Sequence, residues 1–439
     1  MNSTDTSRYV ITKKKILPAG SISTLVIALI FVIATAIALG SSIPVKQVMA
    51  NYNYDVLVLL IIMELFTNLI VETGIMEFLA VKLSVFAKGR KKLSLVCFAG
   101  LMFIISALLN NITAVMMILP VVFVLLKAIE IDQKYINVFF AVILALSNTG
   151  GAASPIGDFP AVVIMTSGIT SFVGYLSHAF PLFLATSTIL IAFWVLSLRK
   201  HREDTNSRRL AVSFLMAQYK YHQVKWDLLI AIGAIFAGMF CAWSLIPQNV
   251  IPPEIIAVIG YVCAAAICKA KGIHVRQRVD MKSILLIASF LFMATVISQT
   301  GILSLLANYL KTSIHDPVVL LIVIMIITSI CAGIFSAGPA AAAMMPIIIE
   351  LCNTTFQSCS DLVAIAYAAS ICAGSSLFMS SATAGFILSE RVNGTGLSDS
   401  NGNILSWNIG NYLKYGFCNF AIQLTVAIAW ILVSFLFLI

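Results

Sequence analysis

Apolar runs recur along the whole chain, at 20–42, 55–73, 93–128, 136–170, 177–198, 226–246, 254–270, 281–298, 317–352, 361–392 and 412–438. A hydrocarbon core about 30 Å thick needs roughly 20 consecutive apolar residues per spanning helix. Lipid admits only helices or closed barrels, because every backbone N–H and C=O must find a partner within the protein. Runs of this length are helical, so the chain reads as an all-α polytopic membrane protein. With 60% hydrophobic and 10% charged residues in 439, a soluble fold could not cover the apolar surface.

The 27 Lys and Arg residues set an expected topology. Place the N-terminus in the cytoplasm and let 93–128 and 317–352 be re-entrant hairpins rather than crossings. The cytoplasmic segments then hold 25 of the 27, and Lys46 and Lys311 alone fall outside. Basic residues kept on the cytoplasmic face are the usual orientation signal. The net charge of +9 is therefore a topology signal, with no nucleic-acid partner implied. The first apolar run follows Lys13–Lys15 and exceeds a signal peptide's h-region of about 7–15 residues, so a retained helix is expected. An inner or plasma membrane is the expected location, with lipid as the surrounding partner and a homodimer left open.

Four expected crossings precede residue 198 and four follow 253, with one between, so the second set is inverted relative to the first. Secondary transporters are often built this way. Weak self-similarity supports it: VETGIMEFLA (71–80) matches SQTGILSLLA (298–307), LLNNITAVMMILPVV (108–122) matches IFSAGPAAAAMMPII (334–348), and LSNTGGAASPIGDFPA (146–161) matches ASICAGSSLFMSSATA (369–384). The offsets are 227, 226 and 223. The expected organisation is a tail at 1–19, a first repeat at 20–198 with hairpin 93–128 and broken helix 136–170, and a basic loop plus connecting helix at 199–253. A second repeat at 254–439 carries hairpin 317–352 and broken helix 361–392. Segment 75–88 alternates apolar Ile75, Phe78, Leu79, Leu83 and Phe86 with charged positions, as an interfacial helix does.

Polar breaks inside apolar runs carry the functional expectation. Asn110-Asn111-Ile112-Thr113 is a hairpin tip. Gly150, Gly151, Pro155 and Gly157 interrupt the next run, since glycine costs helix entropy and proline removes an N–H. An unwound segment frees carbonyls for a cation and makes a new helix N-terminus that favours an anion. Ser147, Asn148 and Thr149 add neutral oxygens and Asp158 a carboxylate, which costs about 2.5–3.5 kcal/mol at bilayer depth unless partnered. Asp158, Asn148, Asn111, Asn110, Ser147, Thr149, Gly150 and Gly151 are the expected cation or proton site. Ser336, Gly338, Ser370, Gly374, Ser375, Ser376, Ser380 and Ser381 are expected to hold substrate or a second ion. Glu64, near the middle of its run, and Glu72, near its end, are candidates for proton coupling, with snorkelling the simpler account of Glu72.

No HExxH, Walker A, GxSxG or GxGxxG pattern occurs, so no enzyme, structural metal or cofactor is expected beyond Na+ or H+ as coupling ion. The histidines at 178, 201, 222, 274 and 315 are scattered. Cys352 and Cys359 could close a small disulfide on an oxidising face.

The combination of ETG…AVK…GR (72–90), NNITAVMMILP (110–120) and GGAASPIGD (150–158) resembles the ion transporter superfamily. That group includes arsenite-permease-like, citrate-type, melanosomal P-protein-like and NhaD-type sodium/proton antiporters, with divalent-anion/sodium symporters as relatives. The resemblance spans most of 55–392, and its broken-helix motif is most similar to the NhaD-type pattern. It implies two re-entrant hairpins whose tips meet the unwound helices around ions and substrate, with alternating access. The antiporter pattern has Asp-Asn at both tips. Here the tips read Asn110-Asn111 and Ser336-Ala337, while Asn148 and Asp158 match and Pro160-Ala161 replaces a threonine pair. The expected function is a secondary transporter of a small ion or anion coupled to Na+ or H+, with exchange ahead of symport. A Na+-coupled carboxylate or oxyanion symporter and an arsenite-type efflux permease are the alternatives.

Overall fold

The computed structural model describes residues 19–438 except 130, 199–223, 274, 276–278, 280, 383 and 400. Most of the expected N-terminal tail, the basic loop, and His201, His222 and His274 lie outside the described residues. The described chain folds into eighteen α-helices, and its strand-like pairing is one isolated bridge, Ser398 with Ile404. Eight helices are long and apolar enough to cross a membrane. The protein is a multi-pass, all-helical membrane protein.

Two stretches repeat the same order of elements. The first runs α3 (Tyr54–Val71), α4 (Ile75–Ala87), α5 (Lys91–Leu108), α6 (Asn111–Ala128), α7 (Gln133–Ala152), α8 (Phe159–Thr166) and α9 (Phe172–Ser197). The second runs α12 (Met281–Gln299), α13 (Ile302–Ser313), α14 (Pro317–Phe335), α15 (Ala337–Thr354), α16 (Ser360–Ser375), α17 (Gly385–Gly394) and α18 (Ile409–Leu438). Between them lie α10 (Trp226–Leu245) and α11 (Pro253–Ala270), and ahead of them α1 (Ala19–Gly40) and the short α2 (Val45–Ala50).

The repetition extends to single bonds. Gly74 and Gly301 both turn the chain in the left-handed region, at φ 74° and 77°, to start the short helices. The preceding threonines make twin bonds: Thr73 Oγ1 donates to Ile70 O (2.6 Å) and accepts from Ile75 N, and Thr300 Oγ1 donates to Ile297 O (2.7 Å) and accepts from Ile302 N. Pro120 and Pro346 fall inside α6 and α15. The Tyr175 hydroxyl donates to Ala152 O (2.8 Å) where α7 ends, and the Tyr412 hydroxyl donates to Ser376 O (2.7 Å) where α16 ends.

These pairs refine the alignment of the third block. The tyrosine bonds place Ser376 opposite Ala152, an offset of 224. Beyond the break, Ser154 Oγ donates to Ala107 O while Ser381 Oγ donates to Gly333 O, an offset of 227. The second break is thus three residues longer, at 376–384 against 153–158. A single ungapped offset of 223 matches neither flank, falling one short of the first and four short of the second.

Helix α4 buries a narrow stripe of Met76, Ala80, Ser84 and Ala87, and the small side chains of the last three allow close approach to α5 and α6. Leu79 and Phe86 face outward, as on a helix lying against lipid. The leading helices are exchanged between the two stretches: α1 packs on α12, and α11 packs on α3. At the centre, α7 is buried on all sides, held between α5, α9, α16 and α18. Cys352 and Cys359 are free thiols.

Candidate functional site

The two hairpin tips, the first helix break and the middle of α3 meet at one small cavity of about 120 Å³. Asn110 and Ile112 line it from the first tip, Ser336, Gly338 and Pro339 from the second, and Asp158 and Phe159 from the break. Leu60 and Glu64, midway along α3, and Ile284 and Ile287 of α12 close it. Both tips therefore end level with the centre of α3. A smaller adjoining space, about 20 Å³, is shared by Glu64, Thr67, Asn110 and Asp158.

Helix geometry explains why these groups converge. Three helices begin here, α6, α15 and α8, and each helix N-terminus leaves backbone N–H groups without intrahelical partners. Asn110 caps α6 by accepting from Ile112 N (2.9 Å). Asp158 caps α8 by accepting from Phe159 N at Oδ1 (2.8 Å). Its second oxygen accepts from Asn111 Nδ2 at 2.7 Å. Asn111 is 1% exposed, and its Oδ1 lies within bonding distance of Ser106 Oγ. Ser106 Oγ also reaches Ser147 O at 2.6 Å, joining tip to α7. Gly151 makes room for this pair: a Cβ there would stand 2.6 Å from Asn111 Oδ1 and 2.8 Å from Asp158 Cβ. Gly150 lets α7 pass against the backbone of Phe103.

The second tip has no amide–carboxylate pair. Ser336 takes φ 79° and ψ 159°, a backbone region that is strained for any residue but glycine. It is tied down by Ser336 Oγ and Ala337 N, which both donate to Ser381 O (2.8 and 3.3 Å). No side chain caps α15.

The expected site residues divide into two groups. Asp158, Asn110, Glu64, Ser336 and Gly338 line the cavity, and Asn111 and Gly151 support its carboxylate. The others point elsewhere. Asn148 Nδ2 donates to Ser375 Oγ (2.9 Å), Thr149 Oγ1 accepts from Ser187 Oγ (3.0 Å), and Ser147 Oγ turns back to Leu144 O. Ser370 bonds its own helix at Ala366 O, Ser376 accepts from Gln423 Nε2 (2.9 Å), and Gly374 packs on the Ser329 backbone. Ser381 anchors the tip through its carbonyl, and Ser380 is exposed. Asn148 and Thr149 tie α7 to α16 and α9, Ser376 ties the end of α16 to α18, and none of these groups lines the cavity. Glu72 sits at the end of α3, 4.0 Å from Lys225.

Sequence reasoning missed Ser106 and the α12 wall. Ser106 is a lone hydroxyl in the apolar arm FIISALL, which is a weak signal. Asn419 and Gln423 were readable as polar residues inside the long apolar α18. There, Asn419 accepts from Trp194 Nε1 (2.7 Å), next to the Gln423 bond.

A second, larger cavity of about 560 Å³ continues along the same three helices. Helix α8 lines the small cavity with Phe159 and the large one with Val163 and Thr166; α15 does so with Gly338 and then Ala342, Met345 and Ile349. Helix α12 passes from Ile287 to Leu291, Thr295 and Ser298. Spacings of three and four keep each series on one helix face, so a shared track of three helix faces runs from one lining to the other. Among the described residues, neither is lined by a Lys, Arg or His.

The starts of α6, α15 and α8 thus gather at one cavity in a chain of membrane-spanning helices. The sequence profile of the citrate transporter family matches residues 9–372. The chain belongs to the citrate transporter family. This family member is 24% identical to a 46 kDa membrane protein of Mycobacterium leprae, over 78% of its own length and 80% of that protein's. It is 23% identical to an uncharacterized transporter of Synechocystis, over 82% of each chain. Its fold is similar to the crystal structure of the Alcanivorax borkumensis YdaH transporter, with a TM-score of 0.57, 13% identity, and coverage of 95% of this chain and 98% of that one. The citrate-transporter-family protein is a membrane transporter.

Proposed function

We propose that the protein is a secondary transporter that couples solute movement to Na+ or H+ by alternating access, with the coupling ion held at Asp158. The Asp158–Asn111 pair carries this reading. A carboxylate at this depth is tolerated only when a cation, proton or donor set offsets its charge, and here one oxygen faces a cap N–H and the other an amide. Glu64 brings a second carboxyl to the same cavity. Na+ or H+ can enter such a cavity without a basic residue in its lining. Proton and sodium exchange is the simplest cycle for one carboxylate, which releases one when it takes the other.

One observation favours symport with a carboxylate as a second reading. The α15 N-terminus opens on the cavity without a side-chain cap, beside Gly338 and Pro339. The Gly338 N–H and the helix dipole there favour an anion, whose charge the co-bound cation would balance. The family's description as citrate transporters fits that reading.

The test is ion-dependent uptake in proteoliposomes of Asp158→Asn, which keeps an effective N-cap. Ion dependence should vanish while the protein stays folded; unchanged ion-dependent uptake would falsify the assignment. Citrate counterflow with and without a Na+ or H+ gradient then separates symport from exchange.

A further inference from the structure

The polar part of the large cavity's lining is dominated by oxygen acceptors, set among apolar residues such as Val163, Leu291 and Met345. At its rim, Gln47 O accepts from both Asn51 Nδ2 (3.0 Å) and Gln299 Nε2 (3.2 Å). Each bond engages one of the two amide hydrogens and leaves the side-chain oxygen without that partner. Gln299 Oε1 is buried without any hydrogen-bond partner. The hydroxyls are likewise committed as donors to their own helices: Thr166 to Val162 O (3.0 Å), Ser167 to Ile164 O (2.6 Å) and Thr295 to Leu291 O (2.8 Å). Thr166 and Thr295 accept no hydrogen bond among the described residues, while Ser167 Oγ also accepts from Ile169 N (3.5 Å). Glu350, an acceptor when ionised, completes the set. Among the described residues its carboxylate makes no ion pair or hydrogen bond. Asn53, whose Oδ1 caps α3, keeps an amide donor.

We propose that this cavity is a second cation site, at which Glu350 and the side-chain oxygens of Gln299 and Asn51 hold a monovalent inorganic cation. An anion would meet a carboxylate and mostly oxygen acceptors, with the Asn53 amide as a donor and no basic residue among the described lining residues to offset the charge. One carboxylate among neutral oxygens also suits a monovalent ion better than Ca²⁺, whose strong sites gather several carboxylates. The track along α8, α12 and α15 leads from this site to Asp158. Its role as a station for the coupling ion rests on the proposed function; the site itself does not. A carboxylate at a cavity mouth raises local cation concentration and speeds entry.

The direct test is carbodiimide labelling of Glu350 in the full-length purified protein, read by peptide mass spectrometry, with Na+ replaced by N-methylglucamine at constant ionic strength. Na+ should slow labelling by about threefold or more, the scale of a weak, solvent-screened ion contact. Equal labelling in the two salts overturns the site, and stronger protection by methylammonium than by Na+ overturns its assignment to an inorganic ion. Protection should persist in Asp158→Asn, and its loss there would show that Glu350 only reports on the inner site. In proteoliposomes Glu350→Gln should raise the half-saturating Na+ concentration several-fold at low ionic strength, converging with the parent at high ionic strength. An unchanged half-saturation removes the role as a station. Ion-dependent uptake unaltered by Asp158→Asn, with Glu350 still protected, would sink the proposed function and leave this site standing.

Discussion

The two breaks solve one geometric problem with different chemistry. In the first, six residues separate α7 from α8, and Asp158 caps the restart while bonding the tip amide of Asn111. In the second, nine residues separate α16 from α17, Ala384 stands at the capping position, and backbone atoms of Ser381 hold a strained Ser336. Twin tyrosines and twin serine-to-carbonyl bonds show the scaffold to be common to both. Duplicated architecture therefore does not require duplicated charge. The first break carries an ionisable group, and the second offers an open helix terminus.

Five predictions test that contrast. The largest effect is expected when charge is moved across it. Ala384→Asp places an unpaired carboxylate in a buried setting and should destabilise the protein by about 2.5–3.5 kcal/mol. Adding Ala337→Asn, which recreates the tip amide, should recover part of the loss in a thermal-denaturation double-mutant cycle. No recovery would mean the second break cannot host the first one's chemistry. Next come the glycines. Gly374→Ala drives a Cβ into the Ser329 backbone, which cannot give way, and should cost about 1–3 kcal/mol or more by overpacking. Gly151→Ala instead meets two side chains. It should leave more stability than Gly374→Ala yet lose most ion-dependent uptake, because it displaces the Asn111–Asp158 pair; full uptake would separate that pair from coupling. Glu64→Gln should change the ion dependence of uptake without a comparable loss of melting temperature. Asn148→Leu should do the reverse, costing about 1–3 kcal/mol for the partner left at Ser375 while ion dependence survives. Smallest are Tyr175→Phe and Tyr412→Phe, each about 1 kcal/mol by denaturation. Near-equal values would mark the two bonds as equivalent parts of the repeat.

Much of the fold is legible in the sequence because lipid imposes simple rules. Run length gives the helices, and Gly-Gly or Asn-Asn inside a run gives the breaks. The site is only half legible for a physical reason. A helix break names the residues that change direction but not the side to which each turns. Asn148 and Asp158 are ten residues apart in one motif; α7 is still helical at Asn148, which faces Ser375, whereas Asp158 caps the next helix beside the tip. The serines of 370–381 look like ligands in a list of letters, yet Ser370 and Ser375 donate to their own helix and Ser381 donates to Gly333 O of α14. Ser106 and the α12 wall come from chain segments whose proximity no local pattern records.

The exchange of leading helices bears on how the protein is made. As the chain leaves the ribosome, α3 enters the membrane well before its packing partner α11 exists, because the whole of α4–α10 is synthesised between them. The first half therefore waits in the bilayer with one flank exposed to lipid, and α1 waits longer still for α12. Assembly is completed late, after insertion, by docking between halves. Two fragments divided within 199–223 and co-expressed should find each other in the membrane, since each carries the missing flank of the other.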